Sequence, residues 1–196
     1  MLNSLMKPNN TKIILGIDPG TISLGYAIIE VKNDIIKTVE INLIDLKKIA
    51  NINEKLKKIY DTLVNVINKY NVDLLAIESP FYGKNVQSML KLGKAQGIAI
   101  ACSLASNIDF VEYSPKKIKQ SVTGNGNASK EQVARILLNM GYIKEIPKKL
   151  DATDSLAVAI CHALQKNIIP EPLSQQKTKS VKSWKSFITN NPDRIK

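Results

Sequence analysis

Lys12-Ile-Ile-Leu-Gly-Ile-Asp18-Pro-Gly-Thr21 is the stretch that decides the fold. Residues 13–17 are an apolar run broken only by Gly16, and Pro19-Gly20 is turn punctuation. Together they read as a buried strand entering a hairpin. The return strand is the next apolar run, Leu24-Gly-Tyr-Ala-Ile-Ile-Glu-Val31. The unusual residue is Asp18, a carboxylate closing a strand that belongs in the middle of a sheet. A buried carboxylate is costly unless it is paired, hydrogen-bonded or bound to a metal. Taken alone, Asp-Pro-Gly is more often a plain strand-ending turn than a ligand, so the meaning of Asp18 depends on its company.

Working outward, residues 35–43 are β-branched enough for a third strand, with Asn33-Asp34 as the turn before it. The first three strands are therefore sequential and antiparallel. Ile52, Leu56, Ile59, Leu63, Ile67 and Tyr70 recur every three or four residues, the pattern of an amphipathic helix. Residues 72–77 form a short buried strand that also ends in a carboxylate, Glu78, before Ser79-Pro80 stops it. Residues 86–105 are helical and apolar on more than one face, with Gly93, Gly97 and Ala101 four apart. Glycine costs helix stability, so this stripe predicts close backbone packing. A helix apolar most of the way round is deeply buried or shared with a second subunit.

Residues 108–113 are another strand. Ser114-Pro115 is an N-cap and first-turn pair for a short basic helix over 116–120. After Gly124-Asn-Gly126, Asn127 is the expected cap of a helix whose core face is Val133, Ile136, Leu137 and Met140, ended by Gly141. The last element, 151–165, opens with Asp151 and Asp154 and continues as a very apolar helix. Three strands followed by alternating helices and strands predict an α/β domain with a mixed sheet.

The 196 residues suit one domain with a sizeable core: a loose N-terminus over 1–11, the domain proper over 12–165 and a basic, flexible tail over 166–196. The formal net charge is +11. An excess of this size favours a polyanionic partner, nucleic acid first. The tail holds seven basic residues against Glu171 and Asp193, with Trp184 and Phe187 as possible anchors. No apolar stretch approaches the ~20 residues of a membrane span, and residues 1–10 lack the apolar core of a signal peptide, so a cytoplasmic protein is expected. Cys102 and Cys161 are isolated among apolar residues and read as buried thiols. His162 is the only histidine, which argues against Ser-His-Asp catalysis and multi-histidine zinc sites.

Asp18 and Glu78 both close predicted central strands, the end of an open α/β sheet where sites gather. Asp151 and Asp154, three apart, share one helix face, although acids at a helix start are also favoured by capping and the macrodipole. Four converging acids without histidine or thiolate would repel one another. Hard divalent cations resolve this, because oxygen-only ligands suit Mg2+ or Mn2+. A pair of such ions supports phosphodiester cleavage, and a basic chain would hold the nucleic acid while its acids hold the metal.

At this point a family pattern is visible. Ile14-Leu-Gly-Ile-Asp-Pro-Gly-Thr21 with Gly25-Tyr26, Ala76-Ile-Glu-Ser-Pro-Phe81, Lys91-Leu-Gly-Lys-Ala-Gln-Gly97 and Asp151-Ala-Thr-Asp-Ser-Leu-Ala157 closely resemble the RuvC family of bacterial Holliday junction resolvases. The resemblance runs over about 13–164 in order and spacing. It implies an RNase H-like fold and a homodimer. It also implies paired symmetric nicks in two strands of a four-way DNA junction during recombination and repair. Asp18, Glu78, Asp151 and Asp154 would be the catalytic acids, binding two Mg2+ (or Mn2+) ions. Some members carry histidine where this chain has Asp151, which makes its site all-oxygen. By the same resemblance Phe81 would stack on or wedge between junction bases, and Lys119 and Lys130 would lie near the DNA backbone and the scissile phosphate. Lys84, Lys91 and Lys94 are further candidates for phosphate contact, and helix 86–105 is the candidate dimer contact. The usual companion is the branch-migration helicase complex of RuvA and RuvB type. The tail beyond 166 matches no functional motif.

Three other readings compete. One is a different RNase H-like nuclease, acting on RNA–DNA hybrids or flaps. Another is an actin-like phosphotransferase, for which the chain is short of a second domain. The third is a junction-binding protein without catalysis, which the presence of all four acids does not favour.

Overall fold

The structure is a computed structural model that describes residues 11–80 and 86–165. Five strands form one mixed sheet, β1 (Thr11–Asp18), β2 (Ser23–Lys32), β3 (Ile35–Asp45), β4 (Leu74–Glu78) and β5 (Asp109–Tyr113), in the order β3-β2-β1-β4-β5. β1 and β2 pair antiparallel from Thr11↔Lys32 to Asp18↔Gly25, and β2 pairs antiparallel with β3. β4 runs parallel to β1, with Ile17 opposite Ile77, and β5 runs parallel to β4. Three antiparallel strands followed by two parallel ones make the mixed sheet that the strand patterning predicts, in the RNase H-like arrangement that the resemblance implies.

Helices cover both faces. α1 (Ile52–Tyr70) and α2 (Val86–Ala105) lie on one side; α3 (Pro115–Thr123), α4 (Lys130–Asn139) and α5 (Asp151–Leu164) lie on the other. The alternation along β1 sends Leu15 and Ile17 into the first core and Ile14 into the second. α5 lies on the sheet with almost no gap. A Cβ on Gly16 would sit 2.3 Å from the Ser155 carbonyl oxygen and 2.7 Å from the Ala159 Cβ. Only glycine fits there.

Cap chemistry sets the helix ends. Ser114 caps α3 and Pro115 starts it, as expected. α4 differs: its N-cap is Ser129, not Asn127, and Ser129 and Gln132 form a reciprocal capping box. Gly141, at φ +76°, follows α4 as expected. Of the two expectations for α2, burial or sharing with a second subunit, its glycine stripe does not show burial among the described residues. Among the described residues, Cβ atoms on Gly93 and Gly97 would meet nothing within 4 Å, so these glycines do not pack against the described part of the fold. Val86, Leu90 and Leu104 are 62, 62 and 46% exposed. With Gly93, Gly97 and Ala101 they make one exposed apolar face at helical spacing.

Both cysteines are free and buried. His162 accepts or donates one hydrogen bond, to the Tyr113 hydroxyl at 2.8 Å, and ties α5 to β5. No helix among the described residues is long and apolar enough to cross a membrane.

Candidate active site

The period of two along each strand fixes where the strand carboxylates point. Ile14, Gly16 and Asp18 share one face of β1, and Ile14 belongs to the core under α5. Leu74, Ala76 and Glu78 share the corresponding face of β4, and Leu74 and Ala76 pack in the same core. The parallel register, ending at Ile17↔Ile77, then sets Asp18 and Glu78 side by side at the carboxyl edge of the sheet, facing α5. The first turn of α5 supplies Asp151 and Asp154.

Asp18, Asp151 and Asp154 each offer a carboxylate oxygen within 4.8 Å of the others. Glu78 stands outside that triple. It lines the same cavity of about 150 Å³ together with Asp18, Asp154, Lys119 and Lys130. All four acids of the sequence reading therefore meet, three tightly and one across the cavity.

Their environments differ. Burial first, then the charges of Glu78 and Asp154, holds the Asp18 carboxyl well above the usual range. Burial and Asp154 push Glu78 up to about 7. Asp154 is raised mainly by burial, against the opposing pull of Lys130. Asp151 goes the other way: burial alone would raise it, but the Ser23 hydroxyl and Lys130 outweigh burial and lower it. Three carboxyls strained toward protonation around a compact oxygen triple form a donor set suited to a hard divalent cation. The residues fit Mg2+ or Mn2+, with no softer ligand in the cluster.

Two basic residues border the acids. Lys130, at the start of α4, pairs with Asp154 and reaches Asp151 Oδ1 at 3.1 Å. Lys119, on α3, lines the cavity, and its charge offsets a small part of the rise that burial imposes on Glu78 and Asp154. Lys91 and Lys94 are exposed on α2, and Lys91 lines a separate cavity with Gly20, Thr21 and Lys55. Phe81 and Lys84 lie outside the described residues.

Sequence reasoning missed Ser23. At the start of β2, its hydroxyl donates to Asp151 Oδ2 at 2.8 Å. The only local signal is a small hydroxyl residue directly after the Asp18 turn; its partner is 128 residues away.

An acidic centre at the carboxyl edge of this sheet defines a nuclease of the RNase H-like class. The family model described as crossover junction endodeoxyribonuclease RuvC matches residues 14–162. The chain is 47% identical to the crossover junction endodeoxyribonuclease RuvC of Cytophaga hutchinsonii, over 100% of this chain and 94% of that protein. It is 46% identical to the Bacteroides fragilis RuvC, over 98% of this chain and 100% of that one. Among solved structures, Thermus thermophilus RuvC in complex with Holliday junction substrate superposes with a TM-score of 0.72 at 25% identity, covering 78% of this chain and 93% of that one. The chain belongs to the RuvC family.

Proposed function

We propose that the chain is a structure-selective endodeoxyribonuclease that resolves Holliday junctions by paired, symmetric nicks during recombination and repair. The observation that carries this reading is the acid centre itself: carboxylates from β1, β4 and α5 brought to one basic-rimmed cavity, in a chain of the crossover junction endodeoxyribonuclease family. Asp18, Glu78, Asp151 and Asp154 would hold two Mg2+ or Mn2+ ions. Bound there, such ions supply an activated water and charge stabilisation at the leaving oxygen. The chain's own residues bind and orient. Lys119 and Lys130 offer charge to a phosphate at the cavity mouth, and Ser23 fixes the rotamer of Asp151.

A junction is nearly two-fold symmetric, which suits a dimer with one site per protomer. The exposed face of α2 supports that assembly, since its two glycines allow a second helix to approach backbone to backbone. Phe81 is proposed to stack on junction bases, with Lys84, Lys91 and Lys94 as phosphate contacts. The enzyme would work in the cytoplasm beside a branch-migration helicase of RuvA and RuvB type.

Cleavage of a labelled four-way junction, a linear duplex and an RNA–DNA hybrid with Mg2+ tests the reading. Symmetric nicks in the junction alone, lost in Asp18→Asn while binding persists, are expected. Preferential cleavage of the hybrid, or undiminished cleavage by Asp18→Asn, would overturn it.

A further inference from the structure

Lys130 is the first residue of α4. A cation there opposes the helix macrodipole, which favours acids in the first turn, so the helix itself gives no reason for the residue. Its contacts do. The ammonium pairs with Asp154 Oδ2 and lies 3.1 Å from Asp151 Oδ1, two of the three carboxylates that form the oxygen triple. The other oxygen of Asp151 accepts from Ser23, so an entering ion meets Lys130 on Oδ1.

We propose that Lys130 is the placeholder cation of the metal-free site: its ammonium neutralises Asp151 and Asp154 until a divalent ion displaces it. This rests on the metal reading given above. The Ser129–Gln132 capping box fixes the backbone at the start of α4. Exchange therefore needs only rotation of a four-carbon side chain that is half exposed, 49%.

Displaced, the ammonium remains on the wall of a cavity that it shares with Lys119. There it faces the place a phosphate oxygen must enter. Metal loading thus releases a cation for the substrate. Reciprocally, a phosphate that draws Lys130 away from the acids raises the affinity for metal.

The test is Mn2+ binding to the full chain without DNA, followed by the loss of the free-ion electron paramagnetic resonance signal. Wild type, Lys130→Met and Lys130→Gln are compared, with Asp18→Asn as the control for the site. Each Lys130 variant should bind Mn2+ with a Kd about fivefold lower than wild type, as fits removal of a half-exposed competing ion pair. The metal-free thermal midpoint should fall and the rise on adding Mn2+ should grow. Equal or weaker Mn2+ binding in both variants, with wild type binding normally, overturns the placeholder role alone. No Mn2+ bound by any of the proteins overturns the metal reading, and this inference with it.

Discussion

Gly25 on β2 lies under the first turn of α5 so closely that a Cβ on it would come 2.4 Å from the carbonyl oxygen of Asp151. Gly25 is also the cross-strand partner of Asp18. One glycine therefore sets the gap between the strand acid and the helix acids. Gly25→Ala must push α5 away from the sheet. Forced overpacking of this kind costs about 2 kcal/mol, and a shift on the order of 1 Å at reacting groups costs about a hundredfold in rate. Urea denaturation and junction cleavage together check this: cleavage should fall far more than the folded fraction does. Equal losses would mean that the glycine serves stability only.

Ser23 and Asp151 give a second, gentler perturbation. Removing the hydroxyl in Ser23→Ala frees Asp151 Oδ2 and leaves the Lys130 contact in place. Loss of a residue that orients a metal ligand costs about tenfold in metal affinity or activity. The Mn2+ concentration for half-maximal cleavage should rise by about that factor, with the thermal midpoint nearly unchanged and Ser23→Thr restoring much of the loss. An unchanged Mn2+ dependence would reduce Ser23 to a turn residue.

Much of this was legible in the sequence because it is periodic. Alternation along β1 and β4 determines which face Asp18 and Glu78 share, and the three-residue spacing of Asp151 and Asp154 puts both at one helix end. The parts not legible are those that need tertiary placement. Lys130 lies 21 residues from Asp151, and nothing local says that its ammonium turns to the acids. The cap of α4 is a different kind of miss: Asn127 and Ser129 both qualify, and the Ser-x-x-Gln spacing of the capping box distinguishes them. For Gly93 and Gly97, spacing reveals a stripe of small residues but not the direction it faces. The remaining sides of α2 are filled by Ala95, Ala99 and Cys102 in the core, which leaves the glycines outward.

That outward face leads to a third prediction. Among the described residues nothing lies within 4 Å of a Cβ at Gly97, so Gly97→Glu should leave the protomer fold intact and even favour the helix by up to about 1 kcal/mol. In a two-fold contact along α2 it would set two carboxylates against each other in an apolar seam. Light scattering should give the dimer mass for wild type and the monomer mass for Gly97→Glu, with paired nicking lost. A wild-type monomer would overturn the dimer itself; a dimeric variant would move the interface off α2.

The fourth prediction concerns a carboxylate remote from the site. Glu40 on β3 accepts from the Tyr26 hydroxyl at 2.7 Å and the Lys69 ammonium at 3.1 Å, and also from the Tyr70 hydroxyl, so it ties the end of α1 to the sheet. Burial alone would raise its carboxyl. The hydrogen bonds from Tyr70, Tyr26 and Lys69 outweigh burial and hold it at about 2, against an ordinary 4.5. A carboxyl depressed by folding stabilises the fold above its unfolded value. That contribution is complete above about 4.5 and disappears as pH falls toward about 2. Glu40→Gln should therefore lower stability at pH 7 by about 1 kcal/mol, the network being partly screened by solvent. The gap between variant and wild type should close as the medium is acidified through that window. Urea midpoints measured from neutral pH to the acid limit of folding check it. Curves that stay parallel would show that Glu40 contributes shape to this corner of the sheet but no charge-dependent stability.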